Sequence, residues 1–152
     1  MLRNFQMRKR LPRWCTCEVR SSNRVPAGST FRWQTSWVEN AGTLIALSER
    51  GLDKAGNILA FLIGGPSPGG FTVKRSASYD ISDAALLPGG DLLVLERKFS
   101  WTGGLTVRMR RIALADIKPG ALVDGPALFE ADLGYEIDNM EGLSVHRGPG
   151  GA

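Results

Sequence analysis

Two stretches of this 152-residue chain repeat one another at an offset of 48 residues, and no other feature narrows the possible folds as much. Ser36-Trp-Val-Glu-Asn-Ala-Gly-Thr-Leu-Ile-Ala-Leu47 lines up with Ala84-Ala-Leu-Leu-Pro-Gly-Gly-Asp-Leu-Leu-Val-Leu95. In each, an apolar stretch meets a tight turn ending in Gly42 or Gly90, and a second apolar stretch follows. Both close on a charged pair, Glu49-Arg50 and Glu96-Arg97, where the register slips by one residue. Turn chemistry between two runs of strand length is a hairpin signal. A hairpin that recurs every 40–50 residues marks the blade of a β-propeller.

The rest of each unit supplies two more strands. Asp53-Lys-Ala-Gly-Asn57 turns into Ile58–Ile63, and a Gly/Pro loop over 64–70 leads to Phe71–Arg75. In the second unit, Trp101-Thr-Gly-Gly104 leads into Thr106–Leu114, and a Pro/Gly-bearing loop precedes Ala127–Ala131. A second echo marks the junctions: Tyr79-Asp-Ile-Ser-Asp83 and Tyr135-Glu-Ile-Asp-Asn-Met-Glu141 each place an aromatic, an acid and an isoleucine before a carboxylate that opens an apolar run. Glu141-Gly-Leu-Ser-Val145 therefore reads as the first strand of a third unit. The expected fold is all-β: an incomplete propeller of about two four-stranded blades plus the first strand of a third. With 19 Gly and 8 Pro, frequent turns suit many short strands better than long helices.

Two blades leave broad apolar faces uncovered, so the remaining blades or self-association are expected partners. The longest apolar run, Ile58–Ile63, is too short to span a bilayer, and no membrane partner is expected.

Charge divides the chain. Residues 1–38 carry eight Lys or Arg against Glu18 alone, a net of +7, whereas the remainder is −3. Residues 1–35 read as a basic leader, disordered or non-native, ahead of a domain over 36–152. An arm of this kind can touch nucleic acid through phosphate charge, but a solvated tail accounts for it as well, and a nucleic-acid partner is not expected. Cys15 and Cys17 form a C-x-C pair without a companion Cys or His pair, and His146 is the sole histidine, so neither a zinc site nor a Cys–His nucleophile is indicated. Residues 11–25 lack the apolar core of a secretory signal. No P-loop occurs, since the glycine clusters lack a following Lys-Ser/Thr.

In an antiparallel blade, the start of the first strand and the end of the second lie at one edge. That geometry gathers Asp83, Glu141, Glu49, Glu96 and Arg97 at one mouth of the axis, with Asp138 and Asn139 from the junction. Carboxylate and amide oxygens suit a hard cation such as calcium. Asp83, Asp138, Asn139, Glu141 and Glu49 are thus candidate metal ligands, and Glu96 and Arg97 candidate catalytic groups. The structural alternative stands beside this: acids at strand starts cap backbone N–H groups or pair with Arg of a neighbouring blade.

Three stretches carry a family resemblance: Gly42-Thr-Leu-Ile-Ala-Leu-Ser-Glu-Arg50, Ser82-Asp-Ala-Ala-Leu-Leu-Pro-Gly-Gly-Asp-Leu-Leu-Val-Leu-Glu-Arg97 and Ile137-Asp-Asn-Met-Glu-Gly-Leu143. Over residues 40–147 the chain resembles the bacterial phytase-like propellers grouped as "esterase-like activity of phytase", in the C-terminal part of their domain. The resemblance implies a fragment of a calcium-assisted phosphoester or ester hydrolase, inactive alone, acting on a small phosphorylated or ester substrate in a periplasmic or secreted setting. The alternative function is a non-catalytic propeller used as a binding or scaffold module.

Overall fold

The computed structural model describes residues 35–101, 103–135, 137, 140–146 and 148. Residues 1–34 of the leader lie outside them, as do Asp138 and Asn139. The described chain is all-β, interrupted only by single 3-10 turns at Leu114–Asp116 and Leu133–Tyr135. Among these residues, no helix is long and apolar enough to cross a membrane.

The first sheet is a meander of β1 (Thr35–Asn40), β2 (Thr43–Leu52), β3 (Ile58–Gly64) and β4 (Gly69–Val73). The second is formed by β5 (Asp80–Leu86), β6 (Leu92–Ser100), β7 (Gly104–Ile112) and β9 (Ala127–Asp132). Both expected four-stranded units are therefore present, each antiparallel throughout. The short β8 (Leu122–Val123) belongs by sequence to the second unit but pairs parallel with β4, at Thr72↔Leu122 and Val73↔Val123. It straps the outer edge of the first sheet to the connection of the second.

Turn chemistry sets the register. Asn40 pairs with Thr43 across a two-residue turn in which Ala41 and Gly42 have φ 47 and 80, the left-handed pair that a twisted hairpin favours. The second hairpin has one more residue in its turn: Leu87 N donates to Asp91 O and Gly90 N to Leu87 O, with Gly90 at φ 93. The extra residue shifts the first strands of the two units relative to the second strands. As a result Ser36, paired with Leu47, corresponds to Asp83, paired with Leu95. Likewise Ser48, not Glu49, corresponds to Glu96, and Glu49 corresponds to Arg97. The one-residue slip between the charged pairs therefore separates their positions on the sheets.

Side chains alternate across each sheet, and two cores result. The first lies between the sheets: Val38, Ile45, Leu47, Ile58, Ala60, Leu62, Phe71 and Val73 from one side meet Ile81, Ala84, Leu92, Val94 and Ile112 from the other. The second lies on the far face of the second sheet, where Leu93, Leu95, Val107, Met109 and Ala131 are covered by Ile137 with Met140, Leu143 and Val145. The second sheet is thus apolar on both faces and forms a middle layer. Residues 141–145 pack on that sheet through Leu143 and Val145, and among the described residues they join neither ladder.

Candidate functional site

The sheets meet along their first strands, and side chains stitch the units together there. Ser36 Oγ donates to Ser82 O at 3.2 Å. At the corresponding place one unit later, Asp83 Oδ2 accepts from Leu143 N at 2.7 Å, while Oδ1 accepts from Ala84 N at 2.8 Å. Asp83 therefore holds the segment after Glu141 against the second sheet, with two backbone amides occupying its carboxylate.

Arg97 ends β6 at the same edge. Its Nη2 lies 3.1 Å from Glu49 Oε1, and its Nη1 lies 3.2 Å from Glu141 Oε1. One guanidinium thus bridges a carboxylate from the first unit and one from the segment beyond the second. Glu49 and Arg97 are largely sheltered, whereas Glu141 is 62% exposed, so the bridge opens to solvent on one side. Four of the anticipated rim residues, Glu49, Asp83, Arg97 and Glu141, are tied together here.

Glu96 is not at this rim. Successive strand residues point to opposite faces, and Glu96 turns into the interface between the sheets, where its exposure is 0%. Its Oε2 accepts from Arg108 Nε at 2.7 Å and Arg110 Nε at 2.9 Å, and Oε1 accepts from Arg110 Nη2. Arg110 reaches further, to Asp124 Oδ1 at 2.7 Å and to Lys74 O at 3.0 Å at the end of the first sheet. Arg108 stacks its guanidinium 3.9 Å from the centre of the Tyr79 ring, and Lys98 Nζ lies 4.7 Å from that centre. Tyr79 Oη donates to Glu130 Oε1 at 2.8 Å. Burial, together with that bond to Glu130, pushes the Tyr79 hydroxyl up to about 12. Glu96 and Arg97, neighbours in sequence, therefore serve separate clusters.

Sequence reading missed the partners in this buried network. Arg108 and Arg110 sit in an alternating run of β7 that looks like a solvated strand face. Their spacing of two residues, cross-strand from a lone Glu, was the available signal: Glu96 pairs with Arg108 in the ladder, and Val94 with Arg110.

As a metal centre, the described rim does not suffice. Among the described residues, no group of three or more His, Cys, Asp or Glu side chains is arranged to hold a metal ion. Arg97 already bridges Glu49 and Glu141, and backbone amides take both oxygens of Asp83. The chemistry available at the rim is that of a guanidinium among carboxylates, a donor set able to exchange one carboxylate for an incoming oxyanion.

Neither the curated proteins nor the solved structures contain a match to this chain. A family model does match, over residues 36–152, from the second residue of β1 through both sheets and the segment packed on them. Its description is phytase-like, esterase-like activity of phytase, and with more than half the sequence covered, the chain belongs to that family.

Proposed function

We propose that the chain is part of a β-propeller hydrolase, with the two sheets as consecutive blades and the working surface at the rim where Glu49, Asp83, Arg97 and Glu141 meet. The observation that carries this reading is the Arg97 bridge, which joins carboxylates from successive units at one edge. Family membership supports a hydrolase, and in this reading the reaction is hydrolysis of a phosphoester or carboxylic ester. In this reading Arg97 is the anion-binding group: a phosphoryl or acyl oxygen displaces the exposed Glu141 carboxylate, which holds Arg97 in place until substrate arrives.

Calcium belongs to the same proposal. Because the described carboxylates make no cage, a cation here depends on Asp138 and Asn139 joining Asp83, Glu141 or Glu49, and no step is routed through it. The isolated chain, a fragment of the propeller in this reading, is expected to be inactive until the rim is completed by further blades.

The test is hydrolysis of p-nitrophenyl phosphate and p-nitrophenyl acetate by the protein in its complete assembly, with and without added calcium. Loss of turnover in Arg97→Gln, with unchanged thermal unfolding, supports the reading. Full activity in that variant removes it, and calorimetry without a calcium signal removes the metal.

A second reading, a non-catalytic binding or scaffold propeller, is favoured by the saturation of Glu96 and Asp83 in structural bonds. It predicts no turnover of either ester under any metal condition.

A further inference from the structure

The strap formed by β8 shows how the outer edge of one of these sheets is closed. Thr72 N donates to Ala121 O and Lys74 N to Val123 O, both at 2.9 Å, and Gly120 N donates to Gly70 O at 2.7 Å. Val123 is buried in the core between the sheets, with Ala121 packed against that core and Leu122 exposed. Asp124, the next residue, lies 3.1 Å from Lys74 Nζ, where the covered edge ends. The strap therefore uses a small residue, a buried aliphatic one and a charge opposite to that of the edge.

The second sheet has the corresponding edge on β9. Leu47–Ala60–Phe71 is matched in the ladders by Leu95–Met109–Phe129, and Ile58–Val73 by Val107–Ala131. Thr72 and Lys74 thus correspond to Glu130 and Asp132. Backbone groups alternate between the two sides of a strand, so the Glu130 and Asp132 amides face away from β7. Among the described residues, β9 pairs with β7 alone. Phe129 is only partly buried, whereas its counterpart Phe71 is buried under a completed edge.

Charge distinguishes the two edges. Lys74 of the first is answered by Asp124. In its place the second carries Asp132, exposed and held at the edge by Gly134 N, which donates to Oδ1 at 3.0 Å. Acidic side chains blunt an open edge against indiscriminate pairing. Here they also select: a copy of Asp124 is repelled, and a lysine or arginine is attracted.

We infer that the outer edge of β9 is a docking site for an extended segment of a further unit of the same kind, running parallel to β9 with the pattern small, any, aliphatic, basic. Its aliphatic side chain closes the second core beside Ala131, as Val123 closes the first beside Val73. Main-chain bonds to Glu130 and Asp132 give affinity, and the aliphatic and basic positions give specificity. Docking here is independent of the hydrolase reading, because it is seen in amide shifts and not in turnover.

The probes are two capped synthetic peptides copying residues 118–126, one with the wild-type sequence and one with Asp124→Lys. Each is titrated to about 10 mM into the isotope-labelled full chain, since two ladder bonds and one aliphatic contact support a dissociation constant on the order of a millimolar or weaker. Amide shifts and slowed hydrogen exchange at Glu130 and Asp132 are expected. The Asp124→Lys peptide should bind about threefold tighter or more, the change expected when a like-charge contact becomes an exposed ion pair. Asp132→Asn keeps an acceptor for Gly134 N and should remove most of that preference. The inference is overturned by unmoved Glu130 and Asp132 amides with the Asp124→Lys peptide, by equal binding of the two peptides, or by a preference undiminished in Asp132→Asn. Shifts confined to Thr72 and Lys74, where the peptide replaces its own copy, overturn it as well. So does protection of the Glu130 and Asp132 amides before any peptide is added, which would place another part of the chain on this edge.

Discussion

Replacing Glu96 by Gln changes one charge and almost no volume, and it isolates the buried network. In the wild type, one carboxylate with no exposed surface answers two guanidinium groups whose side chains are 9% and 3% exposed. Among the described residues, Arg108 Nη2 is already buried without a hydrogen-bond partner. Gln leaves Arg108 with an amide oxygen in place of an ion and leaves Arg110 with Asp124, 47% exposed, as its carboxylate partner beside the Lys74 carbonyl. Breaking a buried ion pair by removing one partner costs about 3–5 kcal/mol, because the orphaned charge stays desolvated. A domain of this size is stable by about 5–15 kcal/mol, so the substitution removes a large share. With a urea slope of about 1.5–2 kcal/mol per molar, the unfolding midpoint followed by circular dichroism falls by roughly 2 M. Two controls make the reasoning specific. Arg97→Gln, at the partly exposed rim, should cost no more than about 1 kcal/mol. The combination Glu96→Leu, Arg108→Met, Arg110→Leu replaces the whole network by apolar groups and should recover most of the loss or exceed wild type by about 1–4 kcal/mol. If Glu96→Gln and Arg97→Gln shift the midpoint equally, or if the apolar combination is as unstable as Glu96→Gln, the desolvation argument fails.

Other consequences follow from single contacts. Gly125→Ala is expected to destabilise the fold by at least about 2 kcal/mol, because a Cβ there would lie 1.9 Å from the Arg111 carbonyl oxygen, a backbone atom that cannot rotate away; a thermal scan reads it, and an unchanged transition would refute the packing of β7 against the β8–β9 connection. Asp83→Ala removes the acceptor for Leu143 N, so amide exchange at Leu143 should speed up while exchange in β2 and β3 stays slow. In acid, Asp91 is held low by the Leu114 N–H and the Arg111 guanidinium; burial works to raise Asp124, but the Gly125 N–H, Lys74 and Arg110 outweigh it. Carboxylates depressed in the folded state stabilise it above their unfolded value of about 3.9 and lose that effect as pH falls through the lower folded value, so the melting temperature should drop below about pH 4, and less steeply in Asp91→Asn. At the alkaline end, the ultraviolet titration difference between wild type and Tyr79→Phe should show one phenol ionising near 12; stability from the protonated Tyr79 is complete below about 10 and declines between about 10 and 12.

Much of this architecture was legible because it is local. The turn residues Gly42 and Gly90 and the alternation on either side fixed both hairpins, and the repeat fixed their equivalence. What escaped depends on contacts between distant segments. Leu122–Val123 lies in a connection without strand periodicity, and its pairing with β4 is created only when the second sheet lies against the first. The direction of Glu96 follows from alternation along β6, which puts it on the inward face with Leu92 and Val94 and leaves Arg97 on the opposite one. Glu49, Asp83, Arg97 and Glu141 came together as the topology required, because the edge on which a strand ends is settled by the order of strands and not by packing detail.

The account stands on the second sheet being a middle layer with a separate core on each face. Methyl–methyl nuclear Overhauser effects test this directly. The prediction is that Ile45 and Leu47 connect to Ala84, Leu92 and Val94, while Leu143 and Val145 connect to Leu93 and Leu95, with no cross-peaks between the two sets. Cross-peaks from Leu143 or Val145 to Ile45 or Leu47 would place both segments on the same face, and the stacked arrangement would be wrong.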